Sequence, residues 1–197
     1  MIHFTSNTYT LKREILNFSN KISRNLPKPD RKFTADMTYG MLAAKSCLLT
    51  DNVDQLHEDS KKVNSVERLT RHLIKGTPKQ ALLSYLQTVR KWVPQEPVIH
   101  IDDSDVIKPQ GHKFEALGMV RDGSKSTNTK NVYEKGYHVT EVCVMTKSNH
   151  PVSIYSKIHS SNEKTFISSN NVTFDAMERA KAMFGKESYF CYGPGVR

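Results

Sequence analysis

Cysteine is scarce and unpatterned. Cys47, Cys143 and Cys191 are the three in 197 residues, an odd number with no C-x-x-C pair, which excludes a disulfide framework or a zinc knuckle as the organising device. Nowhere is there an apolar run of about 18 residues, the length a spanning helix needs, and the opening MIHFTSNTYTLKREIL lacks the apolar stretch of a signal peptide. A reduced, cytoplasmic chain without membrane association is the expectation. The nine glycines are scattered, so no phosphate-cradling loop forms, and the GPG near the end reads as an isolated turn. No histidine pair has H-x-x-x-H spacing. His100 and His138 are expected on strands, and His57, His72, His112, His150 and His159 on helix faces or loops. Ser160, Ser161, Ser168 and Ser169 have no adjoining base and read as turn residues.

Acidic charge is also short in one half. From Met1 to Trp92 there are 16 Lys and Arg against 8 Asp and Glu, whereas the remainder has 13 against 12. The formal net charge of +9 therefore sits almost wholly in the first half, where it favours a polyanion through counterion release. A solvated basic surface is the plainer alternative. The length fits one or two small domains.

That first half has the period of helices. Leu11, Ile15, Phe18, Ile22 and Leu26 recur every three or four positions before Pro27. Phe33, Met37, Met41, Ala44 and Leu48 make a second face, and Val63, Val66, Leu69 and Leu73 a third that stops at Gly76. Thr77 as N-cap and Pro78 in the first turn open a fourth helix, TPKQALLSYLQTVRKW. Arg68, Arg71, Lys75 and Lys79, with Lys61, Lys62, Arg90 and Lys91, line the polar sides. Each alone is an ordinary solvated residue, and only their sum argues for DNA.

After Pro94 and Pro97 the period becomes that of strands. VIHI is a short apolar run, GYHVTEVCVMT alternates, and PVSIYSKI follows a turn at Ser148, Asn149 and His150. Between the first two strands, RDGSKSTNTKN reads as an exposed, mobile loop. NVTFDAMERAKAMF returns to helix, with Val172, Met177, Ala180 and Phe184 on its face, and ESYFCY begins another strand. The predicted organisation is α/β: a helical, basic region over residues 1–94, then an incomplete core of three strands, a helix and a fourth strand over residues 95–197.

The chemistry-bearing stretch is DDSD, Asp102 to Asp105, behind VIHI. Ionised carboxylates packed at a strand end repel one another. An Asx turn or a helix cap accounts for them, and so does a metal site, since Mg²⁺ is held by one or two carboxylates plus water and phosphate. Two such ions roughly 3.5 to 4 Å apart clamp the oxygens of an in-line phosphoryl displacement, and that needs a further carboxylate from elsewhere.

The run IDDSDVIKPQGHKFEALGMVRDGS, then EKGYHVTEVCVMT, then HPVSIYSKIHSSNEKTFIS, resembles the DDE transposases of bacterial insertion sequences whose catalytic domain has a ribonuclease H-like fold. The match spans roughly residues 96 to 190. It implies that Asp103, preceded by the supporting acid Asp102 and followed by Ser104, is the first catalytic and metal-binding Asp, with Mg²⁺ or Mn²⁺ as cofactor. Asp105 is the weaker claimant. The resemblance further implies that Lys108, Lys113 and Arg121 meet DNA phosphates and that the helical half binds the element's terminal inverted repeats. The chain would be nucleoid-associated in a bacterial cytoplasm and able to dimerise with itself or with intact transposase.

The family's second Asp belongs at the end of the fourth strand, in a pattern like V-M-D-R-G-Y-D. This chain reads FCYGPGVR there, and the family's later Glu has no counterpart. One set of synonymous codons for Cys191 to Arg197, read one nucleotide later, translates as V-M-D-R-G-Y-D. A frameshifted, truncated transposase is therefore expected, inactive in strand cleavage by itself and acting as a DNA-binding or inhibitory form or as an inert remnant. The gene's nucleotide sequence around codons 190 to 197 is the direct check.

Overall fold

A computed structural model describes residues 6–185 and 187–192. Five helices come first: α1 (Ser6–Ser23), α2 (Lys28–Ala44), α3 (Leu49–Leu56), α4 (Lys62–Lys75) and α5 (Lys79–Arg90). The remaining elements are β1 (Val98–Ile107), β2 (Gly118–Arg121), β3 (Tyr133–Met145), β4 (Pro151–His159), α6 (Ser169–Phe184) and β5 (Tyr189–Tyr192). The chain divides into two compact units between Thr88 and Val89, ahead of the boundary expected after Pro94.

Within the first unit, Phe33, Val53 and Leu69 form the buried centre, with Met37, Leu49, Leu56 and Val66 packed around it. Full burial of side chains of this size stabilises by about 1.5–3 kcal/mol each. The His72 ring stacks on Phe33 with centroids 5.0 Å apart. Helix α3 was not anticipated, because LTDNVDQL offers only two turns of periodicity. It exists because α2 stops at Lys45, in the left-handed conformation at φ 52°. Ser46 then accepts from the Leu48 N–H at 3.1 Å and donates to Asp51 at 2.7 Å, tying the turn to the new helix. Leu48 thus precedes α3 and is exposed, as are Leu11, Met41, Val63 and Leu73. These helices bury a narrower stripe than the periodicity suggested. Helix α5 starts one residue later than read, since the Pro78 carbonyl, not that of Thr77, accepts from the Ala81 and Leu82 amides.

The second unit is built on one sheet. Strands β1, β3 and β4 are antiparallel neighbours in the spatial order β4, β3, β1, and β5 pairs parallel with β1 on its other side. The short β2 pairs antiparallel with the start of β3. Helix α6 is the crossover between β4 and β5, as a parallel neighbour requires, and Ser168 caps it by accepting from the Asn171 N–H. Ile99, Ile101, Val120, Val142, Val144 and Ile154 of the sheet and Val172, Ala176 and Ala180 of α6 are among its buried apolar residues. Gly136 sits where β3 meets both β1 and β2, and a Cβ there would run into the Val106 carbonyl.

Two strand assignments need correction. β1 does not end at VIHI: Asp102 to Asp105 lie inside the β1–β3 ladder, opposite Glu141, Thr140, Val139 and His138 in turn, so neither an Asx turn nor a helix cap describes them. GMVR was not read as a strand, being only four residues long. The RDGSKSTNTKN segment after it is organised by Asp122, which is buried and accepts from the Ser124 and Lys125 amides and the Ser124 hydroxyl. Those bonds, the Ser124 hydroxyl foremost, hold its carboxyl below the usual carboxylate range.

Candidate functional site around Asp103

Alternation along β1 decides which acids can act together. Side chains two apart share a face, so Asp103 and Asp105 join buried Ile99 and Ile101, whereas His100, Asp102 and Ser104 point from the other face and are exposed. Asp102 is thus on the opposite side of the sheet from Asp103. Its cross-strand partner is Glu141, whose carboxylate accepts from the Ser153 hydroxyl.

On the Asp103 face the neighbouring strands supply a hydroxyl and two imidazoles. Thr140 is fully buried and donates to Asp103 Oδ1 at 2.5 Å. The Thr140 hydroxyl oxygen also lies 3.0 Å from His159 Nε2. One row along, His138 Nδ1 is 2.7 Å from Asp105 Oδ1. The His159 ring is stacked between His138, at 5.6 Å, and Phe166, at 5.9 Å. Burial, then the neighbouring His138, pushes the His159 pKa below its usual value, against the opposing pull of Asp103. From β5, Tyr192 reaches α6 through Met177 Sδ at 3.6 Å. Burial raises the Tyr192 pKa, a hydrogen bond from Thr173 lowers it, and the Asp103 charge raises it again.

His159 was expected on a loop or helix face. It is instead the last residue of β4 and 1% exposed. The apolar alternation of PVSIYSKI would have buried Ile158 and exposed His159; an irregularity in the β3–β4 register leaves Ile158 exposed and His159 buried instead, and the sequence carried no signal for it. Thr140 carried no signal, because its role depends on lying opposite Asp103.

The predicted cations do not converge on Asp103. Lys108 and Lys113 line a cleft with Val106, Phe114, Glu115 and Tyr137. Val106 and Tyr137 are cross-strand partners on the face away from Asp103, and the Tyr137 hydroxyl ties the loop by donating to the Glu115 carbonyl. Arg121 ends β2 and is exposed. In the helical unit, Arg68 is engaged by Glu58 and Asp36, and Arg71 pairs with Glu67 at 2.5 Å while staying exposed. Lys75 and Lys79 are exposed.

For a divalent cation the donor chemistry fits at Asp103. Its carboxylate and that of Asp105 are hard oxygen donors on one face, and Mg²⁺ asks for no more than one or two. No group of three or more His, Cys, Asp or Glu side chains able to hold a metal occurs among the described residues. The strand register leaves off at Ile101 opposite Tyr192, so the position on β5 level with Asp103, where the second acid was sought, lies outside the described residues. No described helix is long and apolar enough to cross a membrane. No protein-family model matches the chain, and no curated protein matches it.

Proposed function

We propose that the chain is a DNA transposase chain of the DDE type, with a basic helical unit that binds the ends of its element and an α/β unit of ribonuclease H-like design that carries the first catalytic acid. The observation that carries this reading is the place of Asp103. It stands on the inner strand β1, between antiparallel β3 and parallel β5, on the face that also holds the buried core. Three antiparallel strands, a crossover helix and a parallel strand beside the first are the order expected of that fold. An acid so placed is fixed in position yet half-exposed, which suits a metal ligand better than a solvated surface charge.

Asp103 would hold the cation, with Asp105 a second carboxylate on the same face of β1. A cation bound there supplies charge neutralisation at a phosphodiester and a template for in-line attack. The chain's own part is to keep the Asp103 carboxylate oriented, through the Thr140 hydroxyl. Of the cations named for DNA in the helical unit, Lys75 and Lys79 are exposed and in no ion pair among the described residues, which leaves them available to backbone phosphates.

A gel-shift series over a range of salt concentrations tests the reading, comparing terminal inverted-repeat duplexes with scrambled duplexes of equal length. Preference for the repeat that persists as salt rises is the expected result. Equal affinity for both, falling with salt alike, would reduce the interaction to general basicity and remove the support for element-end recognition.

A further inference from the structure

We propose that His159 is a positioning residue for Asp103, acting through Thr140. This rests on Asp103 being the acid of the site. Thr140 has one hydroxyl hydrogen, and an ionised carboxylate can only accept. The 2.5 Å contact to Asp103 Oδ1 therefore uses that hydrogen, and the 3.0 Å contact to His159 Nε2 must be one in which Thr140 accepts. His159 is then the Nε2–H tautomer, and the hydrogen bonds run in one direction, from imidazole to hydroxyl to carboxylate.

The other ring nitrogen makes this more than packing. His159 Nδ1 is buried with no hydrogen-bond partner. An unpaired buried polar atom destabilises a fold, and an apolar ring stacked between His138 and Phe166 would avoid that cost. What the imidazole contributes that an apolar ring cannot is the Nε2–H. Burial and ring contacts with His138 and Phe166 confine the ring, the ring orients the hydroxyl, and the hydroxyl holds one oxygen of Asp103. The second oxygen is thereby aimed, by residues from three adjacent strands, β1, β3 and β4.

The test uses the full-length protein, labelled with ¹⁵N, in long-range ¹H–¹⁵N spectra of its histidines, followed by titration with Mn²⁺ as the probe. In the wild type, His159 is expected to show a protonated Nε2 and a bare Nδ1, and Mn²⁺ is expected to broaden resonances around Asp103. Thr140→Val and His159→Phe should weaken that Mn²⁺ effect roughly tenfold or more, as loss of a group supporting a ligand does, and Thr140→Ser should restore it. A His159 protonated at Nδ1 would overturn the proposal without any variant needing to fold. Broadening at Asp103 that is unchanged in Thr140→Val would overturn the positioning role alone. Absence of any Mn²⁺ effect at Asp103 in the wild type would overturn the reading of the site, and the role given to His159 with it.

Discussion

Arg68 Nη2 lies 3.1 and 3.0 Å from the two carboxylate oxygens of Glu58, and its Nη1 lies 2.8 Å from Asp36. The guanidinium therefore joins α2, the turn after α3, and α4 within the helical unit. Lys32 completes the cluster with contacts to both acids, and Ser65 donates to Glu58 at 2.6 Å. A cation with two acids already in place has little left to offer a phosphate.

Arg68→Ala should consequently lower the stability of the helical unit by about 1–3 kcal/mol, since it leaves acids without their partner. It should leave the salt dependence of DNA binding unchanged. Lys75→Ala and Lys79→Ala should do the reverse: near-neutral unfolding midpoints in urea, with the slope of log affinity against log salt falling by about one for each phosphate contact removed. If Arg68→Ala alone reduces that slope, the clamp assignment fails.

Acid should loosen the same cluster. Burial works to raise the Glu58 pKa, but Lys32, Ser65 and Arg68 outweigh it and bring it from 4.5 to about 2. A carboxyl lowered on folding adds stability that is complete above its unfolded value and lost as pH falls through the folded one. Unfolding of the helical unit, followed by tryptophan-independent circular dichroism, should become easier between pH 4.5 and 2. Glu58→Gln should be less stable at pH 7 and should flatten that acid dependence.

His159 predicts an acid sensitivity at higher pH in the other unit. Its pKa is depressed from 6.5, first by burial and then by His138. The folded state then binds fewer protons than the unfolded one, so this contribution is complete above 6.5 and declines as pH drops below it. Denaturant melts at pH 7.5 and 5.5 should show the loss in wild type and a smaller one in His159→Phe. An equal loss in both would place the sensitivity elsewhere.

Much of this was legible in the order of residues. The helix and strand periods gave four of the helices in the first half, the long strands and α6, because each repeats its apolar positions for several turns or pleats. Asp103 was singled out through its company in the sequence, and its role at a site remains the proposal made above. What was not legible were features decided by pairing between distant segments. VIHI seemed to end at the aspartates because their charge looks incompatible with a ladder, yet Thr140 and His138 on β3 accommodate two of them. Alternation alone, had β1 been drawn longer, would have put Asp102 and Asp103 on opposite faces. Arg68 looked like any other cation on a helix, for Glu58 and Asp36 reach it only once α2, α3 and α4 have packed.

Asn52 offers a test of the helical unit's packing that is independent of function. Its side chain is fully buried in α3, and neither its amide nitrogen nor its amide oxygen has a hydrogen-bond partner. Gly40 of α2 faces it so closely that a Cβ on Gly40 would lie 3.0 Å from the Asn52 Cβ, so the two helices meet here with no room for a larger residue on the α2 side. Leucine has the same branched shape and number of side-chain heavy atoms as asparagine, with two bulkier methyl groups in place of the amide oxygen and nitrogen, and no polar atoms to desolvate. Asn52→Leu should therefore raise stability, by about 1–3 kcal/mol from the unpaired amide removed, less whatever crowding against Gly40 takes back. Gly40→Ala should destabilise the wild type because its methyl group meets the Asn52 backbone. Urea unfolding of both variants decides the matter: a less stable Asn52→Leu would show that the amide has partners in solution, such as a trapped water, that outweigh its burial.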